Sequence, residues 1–160
     1  MEEILIADLS LAAHADATLH LLNAYSKDEM GGGAELSDYV KSNLVSELRK
    51  RKEAYVILAF VDGIPAGLVI CLEGFSTFSC KPLLNIHDVI VATVYRGRGL
   101  SKRLLASAEE IALQRGCCKL TLEVLEGNAP AKAAYAACGY KAYALDPKMG
   151  TAQFWQKTLA

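Results

Sequence analysis

The stretch YRGRGLSKRLL, residues 95–105, decides which fold class this chain belongs to. It follows LLNIHDVIV (83–91), an apolar run rich in β-branched residues that predicts a strand. It opens a segment whose apolar residues fall on one helical face, namely Leu100, Leu104, Ala108 and Ile111. A strand, a turn with glycines and a helix form a geometry that binds phosphate, because the N–H groups of the turn and of the first helical turn point at one anion.

The charges of this stretch favour the same interpretation. Four cations lie within eight residues: Arg96, Arg98, Lys102 and Arg103. Because a helix N-terminus already carries partial positive charge, cations there are unfavourable unless an anion binds. A solvated basic helix start without a ligand is the alternative. A P-loop motif is absent, and the dinucleotide fingerprint G-x-G-x-x-G fails at its third glycine, where Lys102 stands.

The rest of the chain predicts an α/β (α+β) fold with a mixed sheet of six to seven strands and helices on both faces. Turn signals and apolar periodicity give the order β-α-α-β-β-β-α-β-α-β-β, with a hairpin turn at Asp62-Gly63. The predicted strands are 4–8, 54–61, 64–72, 83–91, 119–124, 140–145 and 152–158. The predicted helices are 10–25, 36–51, one that starts after Gly99, and one capped by Asn128.

Composition limits the class of protein. The chain has 160 residues, so a single domain over 1–160 is expected. Its 17 basic and 18 acidic residues leave a net charge of −1, which argues against a nucleic-acid binder. Five cysteines without C-x-x-C spacing predict reduced thiols and a cytoplasmic location, and three scattered histidines predict no metal site. No apolar run is long enough to span a bilayer, and the N-terminus lacks the basic region of a signal peptide.

Three consecutive glycines, Gly31 to Gly33, interrupt the pattern between the first two predicted helices. Glycine is unfavourable inside a helix, so the segment KDEMGGGAEL predicts a mobile loop. It is either a plain linker or a lid over a substrate site.

Two motifs carry a resemblance to a known family. RGRGLS, after the strand that ends in DVIV, resembles motif A of the GNAT superfamily of N-acetyltransferases, R/Q-x-x-G-x-G/A. Arg96 and Gly99 match it, whereas Ser101, also a small residue, departs from it by replacing the last Gly or Ala. NAPAKAAYAACGY (128–140) resembles the family's motif B, with matches at Asn128, Ala131, Tyr135, Gly139 and Tyr140.

The resemblance implies a GNAT-like fold and acetyl-CoA as the acetyl donor. It implies that the amides of Val89, Ile90 and Val91 hold the pantetheine arm and that the glycine-bearing turn holds the pyrophosphate. The implied cofactor-binding residues are those three together with Arg96, Gly97, Arg98, Gly99, Leu100, Ser101, Lys102, Asn128 and Lys132. The acceptor would be a primary amine on a small molecule rather than on a protein. No nucleic-acid or membrane partner is expected, and a homodimer is an open expectation because relatives often form dimers.

The same resemblance assigns catalytic roles. Tyr135 would face the coenzyme sulfur and protonate the leaving thiolate, since tyrosine stays protonated at neutral pH. NIHDVIV resembles a stretch that carries a Glu-Asp pair in polyamine acetyltransferases, with His87 at the Glu position and Asp88 kept. Either could accept the amine proton, but strand alternation places them on opposite faces unless a bulge intervenes. A non-catalytic acyl-CoA-binding or sensing domain of the same fold is the alternative function.

Overall fold

The chain forms two compact units, Met1–Leu122 and Glu123–Ala160, and the computed structural model describes residues 1–159. The first unit carries five strands and three helices. In chain order they are β1 (Glu2–Ile6), α1 (Ala12–Ser26), α2 (Asp38–Lys50), β2 (Ala54–Val61), β3 (Ile64–Ser76), β4 (Lys81–Val91), α3 (Leu100–Gln114) and β5 (Leu120–Leu122). Short 3₁₀ turns lie at Glu29–Gly31 and Thr93–Tyr95.

The strands form one mixed sheet in the order β1-β2-β3-β4-β5. The first four strands pair antiparallel, and β4 pairs with β5 in parallel. The predicted hairpin turn is confirmed, because Asp62 (φ 50°) and Gly63 (φ 77°) both adopt the positive φ that a tight turn between β2 and β3 needs. The predicted mixed sheet is therefore confirmed in the part that surrounds the 95–105 stretch.

Helices cover both faces of this sheet, as predicted. Leu21 of α1 packs on one face, against a buried cluster that includes Val56, Leu58, Leu68, Ile70 and Ile90. α3 packs on the other face through its predicted apolar side, which is fully buried. Gly67 of β3 shows how close that contact is, since a Cβ there would lie 2.7 Å from Leu104 Cδ1. This packing fixes where α3 begins relative to the end of β4.

The second unit holds one α-helix, α4 (Ala129–Ala137), among its described residues. Its predicted cap is confirmed, because the Asn128 side chain accepts a hydrogen bond from Ala131 N (3.2 Å). Gly139 follows the helix with a positive φ of 87°, as a C-terminal stop does.

The predicted closing strands at 140–145 and 152–158 are wrong, and so is the count of six to seven strands. A 3₁₀ turn at Pro147–Met149 separates the two segments, and residues 141–159 are exposed. One backbone hydrogen bond, from Ala152 N to Tyr143 O (2.8 Å), joins them. Alternating apolar residues suggested strands there, but a strand also needs a ladder partner and a buried face, and these exposed segments lack the buried face.

None of the helices within residues 1–159 has the length and apolar character needed to cross a bilayer.

Candidate active site

The turn before α3 has the backbone geometry of an anion site. Gly97 (φ 78°) and Gly99 (φ 73°) are both left-handed, and Gly99 is the N-cap of α3 without a side-chain cap hydrogen bond. The first backbone bond into the helix runs from Arg103 N to Gly99 O (3.3 Å). The N–H groups of 97–102 precede that bond, and none of them has a backbone acceptor among the described residues. Alternating left- and right-handed residues before a helix form a concave nest of N–H groups that suits an anion.

Two of the four cations of this stretch already have carboxylate partners. Arg103 Nη2 lies 2.5 Å from Glu2 Oε2, so this side chain turns toward β1. Arg96 Nη2 lies 3.1 Å from Asp28 Oδ2, and its Nε donates to Val91 O (3.1 Å). Both arginines therefore bind other parts of the protein, Glu2 in one case and Asp28 and Val91 in the other.

The other two cations are available to a ligand. Arg98 lies over the ring of Tyr95, with its guanidinium carbon 5.5 Å from the ring centroid. Lys102 is exposed and has no carboxylate within 4.0 Å among residues 1–159. An unpaired lysine beside a nest of free N–H groups fits a phosphate ligand. The residues at this turn are therefore suited to hold a pyrophosphate.

The edge of β4 next to this turn is open. β5 pairs with β4 only from Leu84 to Ile86, so no strand of the first unit covers that edge over 87–91. Ala92 N donates to Ala66 O of β3 (2.9 Å), so the N–H group of Ala92 faces β3. Because direction alternates along an antiparallel ladder, the main chain of Ile90 also faces β3, while the N–H groups of Val89 and Val91 face the open edge. Two of the three predicted amides are thus free to bind a ligand.

A β-bulge lies at the predicted base. Ile86 pairs with Cys71, but Asp88 pairs with Ile70, so His87 is an extra residue on β4. Paired residues share a face, and Cys71 and Ile70 lie on opposite faces. Ile86 and Asp88 therefore face opposite ways although they are two residues apart. Simple alternation, which would separate His87 from Asp88, does not apply at this point.

The two candidate bases differ in their environment. His87 is exposed, whereas Asp88 is partly buried. Burial raises the pKa of Asp88 above the ordinary carboxyl value, and the neighbouring His87 opposes that rise. A carboxylate with a raised pKa is a stronger base than an exposed one, as proton abstraction requires.

Tyr25, at the end of α1, lies near Asp88. Burial is the main cause that raises the pKa of Tyr25, and the negative charges of Asp88 and Asp28 raise it further. The Tyr25 hydroxyl donates to Met30 O (3.0 Å). The hydroxyl thereby joins the end of α1 to the turn that contains the three glycines.

That turn, residues 28–33, is tightly bonded. Asp28 O accepts hydrogen bonds from Gly31 N (2.9 Å) and Gly33 N (3.1 Å), and Asp28 Oδ1 accepts from Met30 N (3.1 Å). Gly31 packs so closely on α1 that a Cβ would lie 1.9 Å from Tyr25 O. We expected a mobile loop from the glycines; the structure instead uses one of them for close approach to α1.

Three predicted site residues lie in the second unit. Asn128 caps α4, and Lys132 Nζ donates to Glu126 O (3.4 Å). The ring of Tyr135 lies 6.1 Å from that of Tyr140, at an interplanar angle of 58°. The roles assigned to these residues by resemblance stay predictions.

Tyr25 and Asp28 are the residues near the site that the sequence did not reveal. Neither falls in a motif, and Asp28 is 68 residues from its partner Arg96. The only local signal was the position of Asp28 just before the glycines. Among the described residues no cluster of three or more potential metal ligands is present.

The chain belongs to the acetyltransferase (GNAT) family, whose model matches residues 17–140. It is 41% identical over 86 residues to streptothricin acetyltransferase of Streptomyces lavendulae, a match that covers 51% of this chain and 46% of that protein. It is 37% identical over 125 residues to thialysine N-epsilon-acetyltransferase of Bos taurus, covering 69% of this chain and 72% of that one. The chain therefore spans less than half of the first relative and most of the second.

A solved structure with the same fold is an aminoglycoside acetyltransferase from an uncultured soil metagenomic sample, in complex with trehalose. It superposes with a TM-score of 0.78 at 16% identity, over 99% of this chain and 97% of that one. At this identity the likeness shows the fold alone. The family resemblance and the fold class predicted from the sequence are thus both confirmed.

Proposed function

We propose that this protein transfers an acetyl group from acetyl-CoA to a primary amine of a small molecule. The observation that carries the proposal is the nest of N–H groups at 97–102, which opens beside the uncovered edge of β4 in a chain of the acetyltransferase (GNAT) family. The nest suits the pyrophosphate, and the edge suits an extended arm that pairs like a strand.

The pyrophosphate is held chiefly by backbone N–H groups. Gly97 and Gly99 let the main chain approach the phosphate oxygens without a Cβ in the way. Lys102 adds a charge-assisted contact, and Arg98 balances the remaining charge from the outer side. The N–H groups of Leu100 and Ser101 complete the first turn of α3.

The open edge of β4 positions and polarises the acetyl group. Of the two N–H groups that face the open edge, those of Val89 and Val91, one can bond an amide oxygen of the pantetheine arm while the other faces the thioester carbonyl. When the amine attacks, negative charge develops on that oxygen, and a fixed N–H donor stabilises it.

The acceptor amine must lose a proton before it attacks. An alkylammonium has a pKa of about 10.4, so the neutral amine costs about 4.6 kcal/mol at pH 7. His87 and Asp88 lie together at the β4 bulge, and we assign proton removal to this pair. The partly buried, more basic Asp88 holds the imidazole or a water molecule, and the exposed His87 meets the amine.

The amine nitrogen forms a bond to the acetyl carbon, and the bond from that carbon to sulfur then breaks. The departing thiolate takes the proton of the Tyr135 hydroxyl, as the motif B resemblance implies. The base passes the first amine proton to solvent and takes the second from the nitrogen once the N–C bond has formed. That second proton replaces, through solvent, the one that Tyr135 gave, so the products are the amide, the free thiol and one proton. The reaction balances without a metal or a redox partner.

The names of two relatives support a small molecule as the acceptor. Streptothricin and thialysine, the acceptors in their names, are both small amines. The test is a panel of streptothricin, thialysine, sisomicin, spermidine and an N-terminal peptide, each with acetyl-CoA, read by release of free thiol. Release that depends on one of the small amines supports the proposal. Binding of acetyl-CoA without release for any amine would favour the alternative of a non-catalytic acyl-CoA-binding domain.

A further inference from the structure

Arg96 joins three parts of the first unit. Its Nε donates to Val91 O (3.1 Å) at the end of β4, and its Nη2 meets Asp28 Oδ2 (3.1 Å). Its backbone leads directly into the nest at 97–102. A single guanidinium therefore connects the proposed coenzyme site with the 28–33 turn, and its planar fork suits two such bonds at a fixed angle.

The ion pair contributes little to stability. Arg96 is 51% exposed and Asp28 is 30% exposed, and exposed pairs are weak because water screens them. The value of the pair lies in geometry, since it fixes where the turn sits relative to the end of β4.

Hydrogen bonds join the residues of the turn to one another, so a change in the position of Asp28 reaches Met30, Gly31 and Gly33. Asp28 O holds Gly31 N and Gly33 N, and Tyr25 holds Met30 O from α1. Tyr25 packs against the apolar cluster that contains Ile70, and Ile70 pairs with Asp88, so Tyr25 lies on the sheet face that carries Asp88. The turn therefore borders the place where the amine would lose its proton.

We propose that Arg96 is a positioning residue that couples coenzyme binding at the nest to the 28–33 turn, and through it to the acceptor side of the site. The inference rests on the proposed function. When the pyrophosphate binds, its charge holds the nest and the Arg96 main chain in place. The fixed guanidinium then holds Asp28, and the bonded form of the turn opens less often before the acceptor arrives.

Hydrogen exchange with coenzyme A as the probe tests this without an acceptor. In the unaltered protein, coenzyme A slows amide exchange at 97–102 and also at Gly31 and Gly33, at the latter by about fivefold or more. Asp28→Asn keeps a side-chain oxygen for Met30 N but loses the charge that meets Arg96. In that variant coenzyme A still protects 97–102 from exchange. At 28–33 the exchange rates with and without coenzyme A become equal.

Glu29→Gln removes a neighbouring exposed charge and serves as the matched control, which behaves like the unaltered protein. Arg96→Lys keeps the charge but loses the fork, and it too loses the effect at 28–33. A merely structural role of Asp28 would speed exchange with and without coenzyme A and leave the ratio unchanged.

Protection at 97–102 without any change at 28–33 in the unaltered protein would overturn the coupling and leave the proposed function standing. The same holds if Asp28→Asn keeps the full effect. If coenzyme A protects neither segment, the proposed coenzyme site is wrong and the coupling fails with it.

Discussion

Gly31 offers a sharp test of how the 28–33 turn is built, because the next two residues, Gly32 and Gly33, serve as matched controls. A Cβ at Gly31 would lie 1.9 Å from Tyr25 O and 2.7 Å from Tyr25 C, both main-chain atoms of α1. A Cβ at Gly32 or Gly33 would meet nothing within 4 Å. Alanine at the three positions therefore has the same chemistry and very different surroundings.

The cost of each alanine follows from these contacts. At Gly31 the turn must move by about 1 Å to reach the shortest tolerated contact. That displacement also breaks the bond from Asp28 N to Tyr25 O (2.9 Å). Overpacking costs about 1–3 kcal/mol and a lost hydrogen bond about 1 kcal/mol, so the free energy of unfolding falls by about 2–4 kcal/mol. At Gly32 and Gly33 only the positive φ is strained, which costs about 1–2 kcal/mol each.

Urea unfolding of the three single variants measures these differences. Acceptor kinetics add a functional reading: KM for the amine rises more in Gly31→Ala than in the two controls, because only that variant displaces the turn beside Tyr25. If Gly31→Ala is as stable as Gly33→Ala and has the same KM, the close packing of the turn on α1 is wrong.

Three further outcomes are expected. Gly99→Val weakens acetyl-CoA binding far more than Arg98→Ala, because the amides need close approach and an exposed charge contributes little; equal losses by calorimetry would count against this. Tyr135→Phe lowers kcat by about 10²–10⁴ with unchanged acetyl-CoA affinity, and full activity would remove Tyr135 as the acid. Burial raises the pKa of Asp88, so its ionised form is less stable in the fold than in the unfolded chain. Asp88→Asn therefore stabilises the protein at neutral pH, and this gain shrinks as the pH falls toward the ordinary value of 3.8; a gain that does not depend on pH would contradict the burial.

The sequence predicted the parts of the site that depend on local signals. Gly97 and Gly99 marked the turn, the apolar spacing from Leu100 onward marked the buried face of α3, and Asn128 marked the cap of α4. Each of these features is decided within a few residues of the chain, so its pattern is visible without the fold.

Features that depend on residues far apart in the chain could not be predicted from the sequence. The bulge at His87 exists because β3 and β4 pair out of register there, and nothing in the sequence of β4 alone shows it. The bond of Arg96 to Asp28 joins residues 68 positions apart. The segments 140–145 and 152–158 have the composition of strands, but the fold gives them no buried face.

The central claim is that the nest at 97–102 binds the pyrophosphate of the acetyl donor so that an amine can take the acetyl group. The measurement that tests it most directly compares kcat/KM for acetyl-CoA and for S-acetylpantetheine, which lacks the pyrophosphate and the 3′-phosphoadenosine, with the best amine of the panel; the Gly99→Val variant assigns the difference to the nest. Two lost charge-assisted hydrogen bonds correspond to about 3 kcal/mol, so acetyl-CoA is expected to exceed acetylpantetheine by about a hundredfold, and Gly99→Val to remove most of that advantage. Equal kcat/KM for the two donors, or no amine-dependent thiol release from either, would contradict the account.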